Sequence, residues 1–181
     1  MISMSKLKLI FGYIICPLLL LSGCKVEYSF TGTTLDYNVT KTFSVANFFN
    51  DSGGGPANMG QNFTESLKDY FQRNTQLELV QNNGDLQFEG AITRYTLTPQ
   101  ATVSSRDSNL PDRAGQMRLT IAVEVNYMNL ANEEEDTKKT FSFYQDYDPR
   151  TTSMLEIEST LIDTIFENII QDIFTSTVAN W

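Results

Sequence analysis

The side chains able to do chemistry are few, and what is missing decides as much as what is present. The chain has no histidine, so a Ser-His-Asp or Cys-His nucleophile has no base and a histidine-ligated zinc site has no ligand. Carboxylates are plentiful. The run Glu133-Glu134-Glu135-Asp136 has the charge for calcium but lacks the Asp-x-Asp-x-Asp-Gly spacing of a dedicated loop; it reads as a solvated hairpin tip. Asp146-x-Asp148 and Glu156-x-Glu158 put acids two apart, the spacing of paired acid and base groups, with nothing beside them that marks a cleft. No catalytic, metal-binding or cofactor-binding set emerges, and the expectation is a protein that is not an enzyme. Arg94, Arg106, Arg113 and Arg118 gather on or beside the polar stretch Pro99–Gly115. Guanidinium groups suit phosphate and similar anions. A loop of this length is either functional or simply solvated, and both readings stay open for these four residues.

The two cysteines, Cys16 and Cys24, both lie near the N-terminus. Lys6 and Lys8 precede an apolar run from Leu9 to Leu21, with no acid before Glu27. A short apolar segment behind a basic start is the layout of a secretory signal; a membrane-spanning helix needs about 20 apolar residues, and Pro17 would disturb one here. The run ends in Leu21-Ser22-Gly23-Cys24. Small residues admit a peptidase, and the next thiol is free to be acylated. This tetrad resembles the lipobox of bacterial lipoproteins. The resemblance implies cleavage before Cys24, lipid on the Cys24 sulfur and amine, and stable anchoring, since more than one acyl chain is present. Residues 1–23 are then a lipoprotein signal peptide and residues 24–41 a lipidated tether. The remaining 11 Lys and Arg face 22 Asp and Glu, and a domain this acidic is unsuited to nucleic acid, which demands a concentrated basic surface.

The elements that must position these residues follow from periodicity. Thr42–Phe49 alternates as a strand. Asn50–Pro56, with three consecutive glycines, is a loop. In Asn58–Arg73, Met59, Phe63, Leu67, Tyr70 and Phe71 fall at helical spacing, with Asn58 as the expected cap and Gln61 three residues on. Gln76–Gln81 and Leu86–Thr98 read as strands joined through Asn82-Asn83-Gly84-Asp85, a hairpin turn signal. Between Phe88 and Tyr95 the buried parity changes, which predicts a bulge near Thr93-Arg94. Gln116–Met128 alternates without a break, Thr140–Tyr147 follows as its partner, and Ser153-x-x-Glu156 opens a long helix with two adjacent apolar rows. That helix carries acids and no Lys or Arg, so it reads as a core helix and not a membrane-surface one. Trp181 reads as an apolar plug for the sheet edge.

The predicted order is β-α-β-β-β-β-α. A β-α-β start places its two strands parallel with a right-handed crossover, and the rest should pair as antiparallel neighbours. The fold class is α+β: a two-layer sandwich of a small mixed sheet, about five strands, with two helices packed on one face, spanning residues 42–181.

Several segments, in order, resemble one family. After the lipobox comes Tyr28-Ser29-Phe30-Thr31-Gly32, then Phe63-Thr64-Glu65-Ser66-Leu67-Lys68-Asp69, then Leu77-x-Leu79-Val80 through Asn83-Gly84-Asp85-Leu86-Gln87-Phe88-Glu89-Gly90, and finally Val178-Ala179-Asn180-Trp181. Together they resemble LptE-family lipoproteins of the Bacteroidota branch. The resemblance implies an outer-membrane lipoprotein of lipopolysaccharide assembly, plugging the lumen of the LptD β-barrel and helping it assemble, in contact with lipopolysaccharide, without catalysis or cofactor. It implies a domain on the periplasmic side or within a barrel lumen, tied to outer-membrane lipid through Cys24. The family's basic contact residues are not carried over, because their positions do not align. The competing expectation is a free-standing envelope lipoprotein that binds a small ligand or another envelope protein.

Overall fold

The computed structural model describes residues 35–100 and 115–178. Cys24, the lipobox, Tyr28, Phe30, Arg106, Arg113 and Trp181 lie outside the described residues. Everything described belongs to one compact unit, Thr33–Trp181.

Six strands and two helices follow in the order β1 (Thr42–Val45), β2 (Phe49–Asn50), α1 (Met59–Asn74), β3 (Glu78–Leu79), β4 (Leu86–Pro99), β5 (Met117–Asn129), β6 (Thr137–Tyr147) and α2 (Met154–Thr177). The sheet order is β3-β1-β4-β5-β6, with β2 alongside β4. It is mixed: β1 pairs parallel with both β3 and β4, while β4-β5-β6 is an antiparallel meander. Both helices cover one face, as the two apolar rows of α2 require. Leu161, Ile162, Ile165, Phe166, Ile169, Ile170 and Ile173 are all buried, each removal from water stabilising by about 1.5–3 kcal/mol. Phe63 of α1 joins the helices to the sheet: its ring lies edge-on to Phe48 at 4.9 Å and to Phe166 at 5.0 Å between centroids.

The bulge is where the change of parity puts it. Ile92 pairs with Val123 and Arg94 with Ala122, leaving Thr93 without an opposite residue. Upstream, Leu86, Phe88 and Ile92 face the helices; downstream, Tyr95 and Leu97 do, sharing a side with Ile121 and Leu119.

Three local expectations are corrected. The strand expected over Thr42–Phe49 is two strands, because the register along β4 shifts by one residue between Val45 and Phe49, where Phe48 is buried and its N–H donates to Thr64 Oγ1 at 3.0 Å; this makes six described strands instead of five. Asn58 makes no side-chain capping bond at the start of α1. Its φ of −89° and ψ of 5° lie outside the extended region that a capping residue adopts. Ahead of β1, Leu35 and Tyr37 pack against the core and Thr40 is buried, which agrees with an ordered end to that segment. Finally, Asn82–Asp85 is no hairpin turn. β3 and β4 do not pair; β1 lies between them, so the segment crosses over β1. Of its central residues Asn83 has positive φ, 55°, and Gly84 does not. Gly84 is glycine for another reason: a Cβ there would stand 2.5 Å from the Phe43 carbonyl carbon and 2.6 Å from the Ser44 nitrogen.

Candidate functional site

Among the described residues the helices leave the second face of the sheet open, and the polar residues of the meander collect there. Alternation forces this: if Leu119, Ile121 and Val123 point to the helices, Arg118, Thr120 and Glu124 point away. Register then brings strands together. Arg118 lies opposite Asp146 on β6, and its Nε and Nη2 donate to the two carboxylate oxygens at 2.7 and 2.8 Å. The same guanidinium sits 3.7 Å above the Tyr144 ring. The Asp146 carboxyl is held below its ordinary range, chiefly by the hydrogen bond from Arg118. Further along, Lys138 reaches Glu124 at 2.8 Å, and Asn126 donates to Glu89 at 2.8 Å.

Of the four arginines, two are placed by the structure. Arg94 and Arg118 share the open face: Arg94 is opposite Ala122, four residues along β5 from Arg118, a separation of about 13 Å at strand rise. Arg94 is exposed, with no ion pair among the described residues. Arg118 is already committed to Asp146 and Tyr144. They form one free cation and one engaged cation on a common surface, and they do not close around one anion.

Five of the carboxylates singled out in the sequence, Asp136, Asp146, Asp148, Glu156 and Glu158, have structural partners. Asp148 is bound by Arg150, whose Nη2 lies at 2.9 Å. Glu156 Oε2 accepts the Ser153 N–H at 3.1 Å and hydroxyl at 2.8 Å, forming the carboxylate half of the expected capping box, and the Ser153 hydroxyl holds the Glu156 carboxyl below its ordinary range. Glu158 accepts the phenol of Tyr95. Burial first, then Glu158, pushes that phenol far above its usual range. Glu133–Glu135 form a short 3-10 turn, after which Asp136 accepts the Asn129 N–H at 2.7 Å. Among the described residues no group of three or more His, Cys, Asp or Glu is placed to hold a metal ion.

Sequence reasoning missed one feature. The crossover above β1 walls a cleft of about 190 Å³ on the open face, lined by Ser44, Gln81, Asn82, Asn83, Gln87 and Glu89. Asp85 pins this crossover. Its Oδ2 accepts from Lys41 N, Thr42 N and Thr42 Oγ1 at 2.8–2.9 Å, and the bond from Lys41 is the main cause that lowers its pKa. Read as a hairpin turn, the Asn-Asn-Gly-Asp segment gives no hint of a wall. The available signal was the mismatch between a strand of six residues and a return strand twice as long.

A family model described as LptE, lipopolysaccharide-assembly, matches residues 40–177. No curated protein matches the chain. Among solved structures, the hypothetical protein CT253 from Chlamydia trachomatis is similar at a TM-score of 0.52 and 9% identity, over 78% of this chain and 99% of that one. A minor lipoprotein from Acinetobacter baumannii follows at 0.47 and 17%, over 76% and 94%. The rare lipoprotein B from Shewanella oneidensis stands at 0.41 and 15%, over 74% and 89%. At these identities the likeness to CT253 speaks for the fold alone, and the two lower scores add nothing to it. The narrower Bacteroidota-branch resemblance is not borne out by these matches.

Proposed function

The chain belongs to the LptE lipopolysaccharide-assembly family, and from that membership we propose that it is a non-catalytic outer-membrane lipoprotein that plugs an LptD-type β-barrel and helps it assemble. The observation that carries this reading is the family match, which takes in every strand and both helices. The proposal has three parts. Residues 1–23 act as signal peptide, Cys24 takes the lipid, and residues 24–41 tether the domain on the periplasmic side of the membrane or within the barrel lumen. The domain of residues 42–181 docks in the barrel. Arg94, Arg106, Arg113 and Arg118 supply local cations where an acidic domain meets the anionic groups of lipopolysaccharide. Among the described residues no helix is long and apolar enough to cross a membrane.

One experiment tests the second and third parts together. Tagged full-length chain is extracted from its own envelope in mild detergent, and its companions are read by mass spectrometry, with co-eluting lipopolysaccharide measured beside them. The expected result is a large β-barrel protein in roughly one-to-one amount, with less lipopolysaccharide on Arg106→Ala/Arg113→Ala than on the parent. A chain that elutes alone overturns the barrel reading and leaves a free-standing envelope lipoprotein. Unchanged lipopolysaccharide on the double variant discards the arginine contacts.

A further inference from the structure

The sheet has two edges, and they are built differently. At one, β3 and β2 are two residues long each and β4 beyond Ile92 pairs only with β5, so the edge is broken into short pieces. At the other, β6 runs for eleven residues and matches β5 pair by pair from Thr137 to Tyr147 with no register shift. Half of its backbone N–H and C=O groups therefore point away from the sheet. Among the described residues no backbone hydrogen bond reaches that side. Edge strands are ordinarily blunted by proline, a bulge or inward charge. From Thr140 to Gln145 β6 has none of these, and its charges stand at the two ends: Lys138 and Lys139 at the start, Asp146 near the finish.

That arrangement is self-complementary. We infer that the free edge of β6 pairs antiparallel with β6 of a second copy of this chain, about a two-fold axis at Ser142. In this register Lys138 of each copy lies opposite Asp146 of the other on the open face. Each Asp146, already held by Arg118 at 2.7 Å, then gains a second cation when the exposed Lys138 of the other copy exchanges its own Glu124, 2.8 Å away, for it. Thr140 meets Tyr144, and Ser142 meets its own counterpart. On the helix side Phe141 meets Phe143 twice, and such cross-strand aromatic pairs are favourable. Neighbouring registers lose this match. Centring on Phe141 sets Asp136 against Asp146, and centring on Phe143 moves Asp146 opposite the uncharged Thr140. Two copies joined this way make one continuous sheet with all four helices on one side, and the edge that remains in each copy is the broken one formed by β3, β2 and the end of β4. The inference stands on the geometry of the free chain and does not rest on the barrel reading.

The test uses the full-length chain in detergent. At a two-fold axis, facing residues of an antiparallel pair have Cα atoms about 4.5–5.5 Å apart, within reach of a disulfide. Under mild oxidation Ser142→Cys is expected to give a covalent dimer, while Thr140→Cys stays at the level of the parent chain, which reports on Cys16 and Cys24. By sedimentation the parent has the mass of two copies, and Ser142→Lys, which sets two like charges face to face, has the mass of one with its circular dichroism unchanged. Ser142→Cys linking no more than Thr140→Cys, or a parent of single-copy mass at every concentration, overturns the inference. A Ser142→Cys chain linked to a different protein also overturns it, assigning the edge to that protein's strand. A failed barrel pulldown with a positive Ser142 cross-link separates this inference from the barrel reading.

Discussion

Along β5, Leu119, Ile121, Val123, Val125 and Tyr127 are buried under the helices, while Arg118, Thr120, Glu124 and Asn126 between them remain partly open to water. The same thirteen residues thus build two surfaces of different kinds. The covered face is held by close packing of aromatic and branched side chains, where each atom removed leaves a gap that its neighbours fill only in part. The open face is held by register: its ion pairs and side-chain hydrogen bonds exist because the strands are already aligned, and such surface pairs add little stability of their own. Stability lives on one side of the sheet. The other side is free to carry recognition.

The sharpest way to break this comparison is one substitution on each side. Phe63→Ala removes a fully buried ring wedged between Phe48 and Phe166 and should cost about 3–5 kcal/mol, read as a lower urea midpoint. Thr120→Ala, central on the open face, should stay within about 0.5 kcal/mol. Equal costs would mean that the open face is as structural as the covered one. The crossover is the expected exception on the open side. Gly84→Ala drives a methyl group into the backbone of β1 at 2.5–2.6 Å, and overpacking of this kind should cost about 1–3 kcal/mol by the same measurement. A neutral result would show that the crossover yields and that β1 is not closely covered. The smallest effect concerns Asp85. Its folded pKa lies below the ordinary 3.8, chiefly through the bond from Lys41, so its contribution is complete above that value and disappears as the pH falls through the lowered one. Stability measured from about pH 5 down to about pH 2 should therefore fall more steeply in the parent than in Asp85→Asn. Equal slopes would remove the carboxylate from the account of how the crossover is held.

What the sequence makes legible divides along similar lines. The covered face is written in periodicity: the two rows of α2, the unbroken alternation of β5, and even the bulge at Thr93, which shows as a change of parity between Phe88 and Tyr95. These signals are plain because burial imposes them residue by residue. The Asn83-Gly84 segment misleads for a physical reason. A glycine needed for a left-handed φ and a glycine needed for close approach are the same letter, and only the position of β1 tells them apart. Phe48 is hidden for a similar reason, since its neighbour Phe49 is 68% exposed and nothing local says which of the two turns inward. The open face is the least legible. Arg118 looks like its fellow arginines in the sequence, and only the pairing of β5 with β6 shows that Asp146 and Tyr144 already hold it. Paired carboxylates that suggest catalysis by spacing are a cap, a turn and a strand brace in three dimensions.

The passage from Val80 to Asp85 over β1 also decides how far along the chain β1 must look for its partners. The β4-β5-β6 meander joins neighbours in sequence, and such local contacts close at little entropic cost. β1 has no such neighbour: both strands that flank it lie beyond α1 in the chain. It lies between β3 and β4, with Gly84 passing tightly above. The first described strand is therefore a keystone, locked on both sides by segments distant from it in sequence.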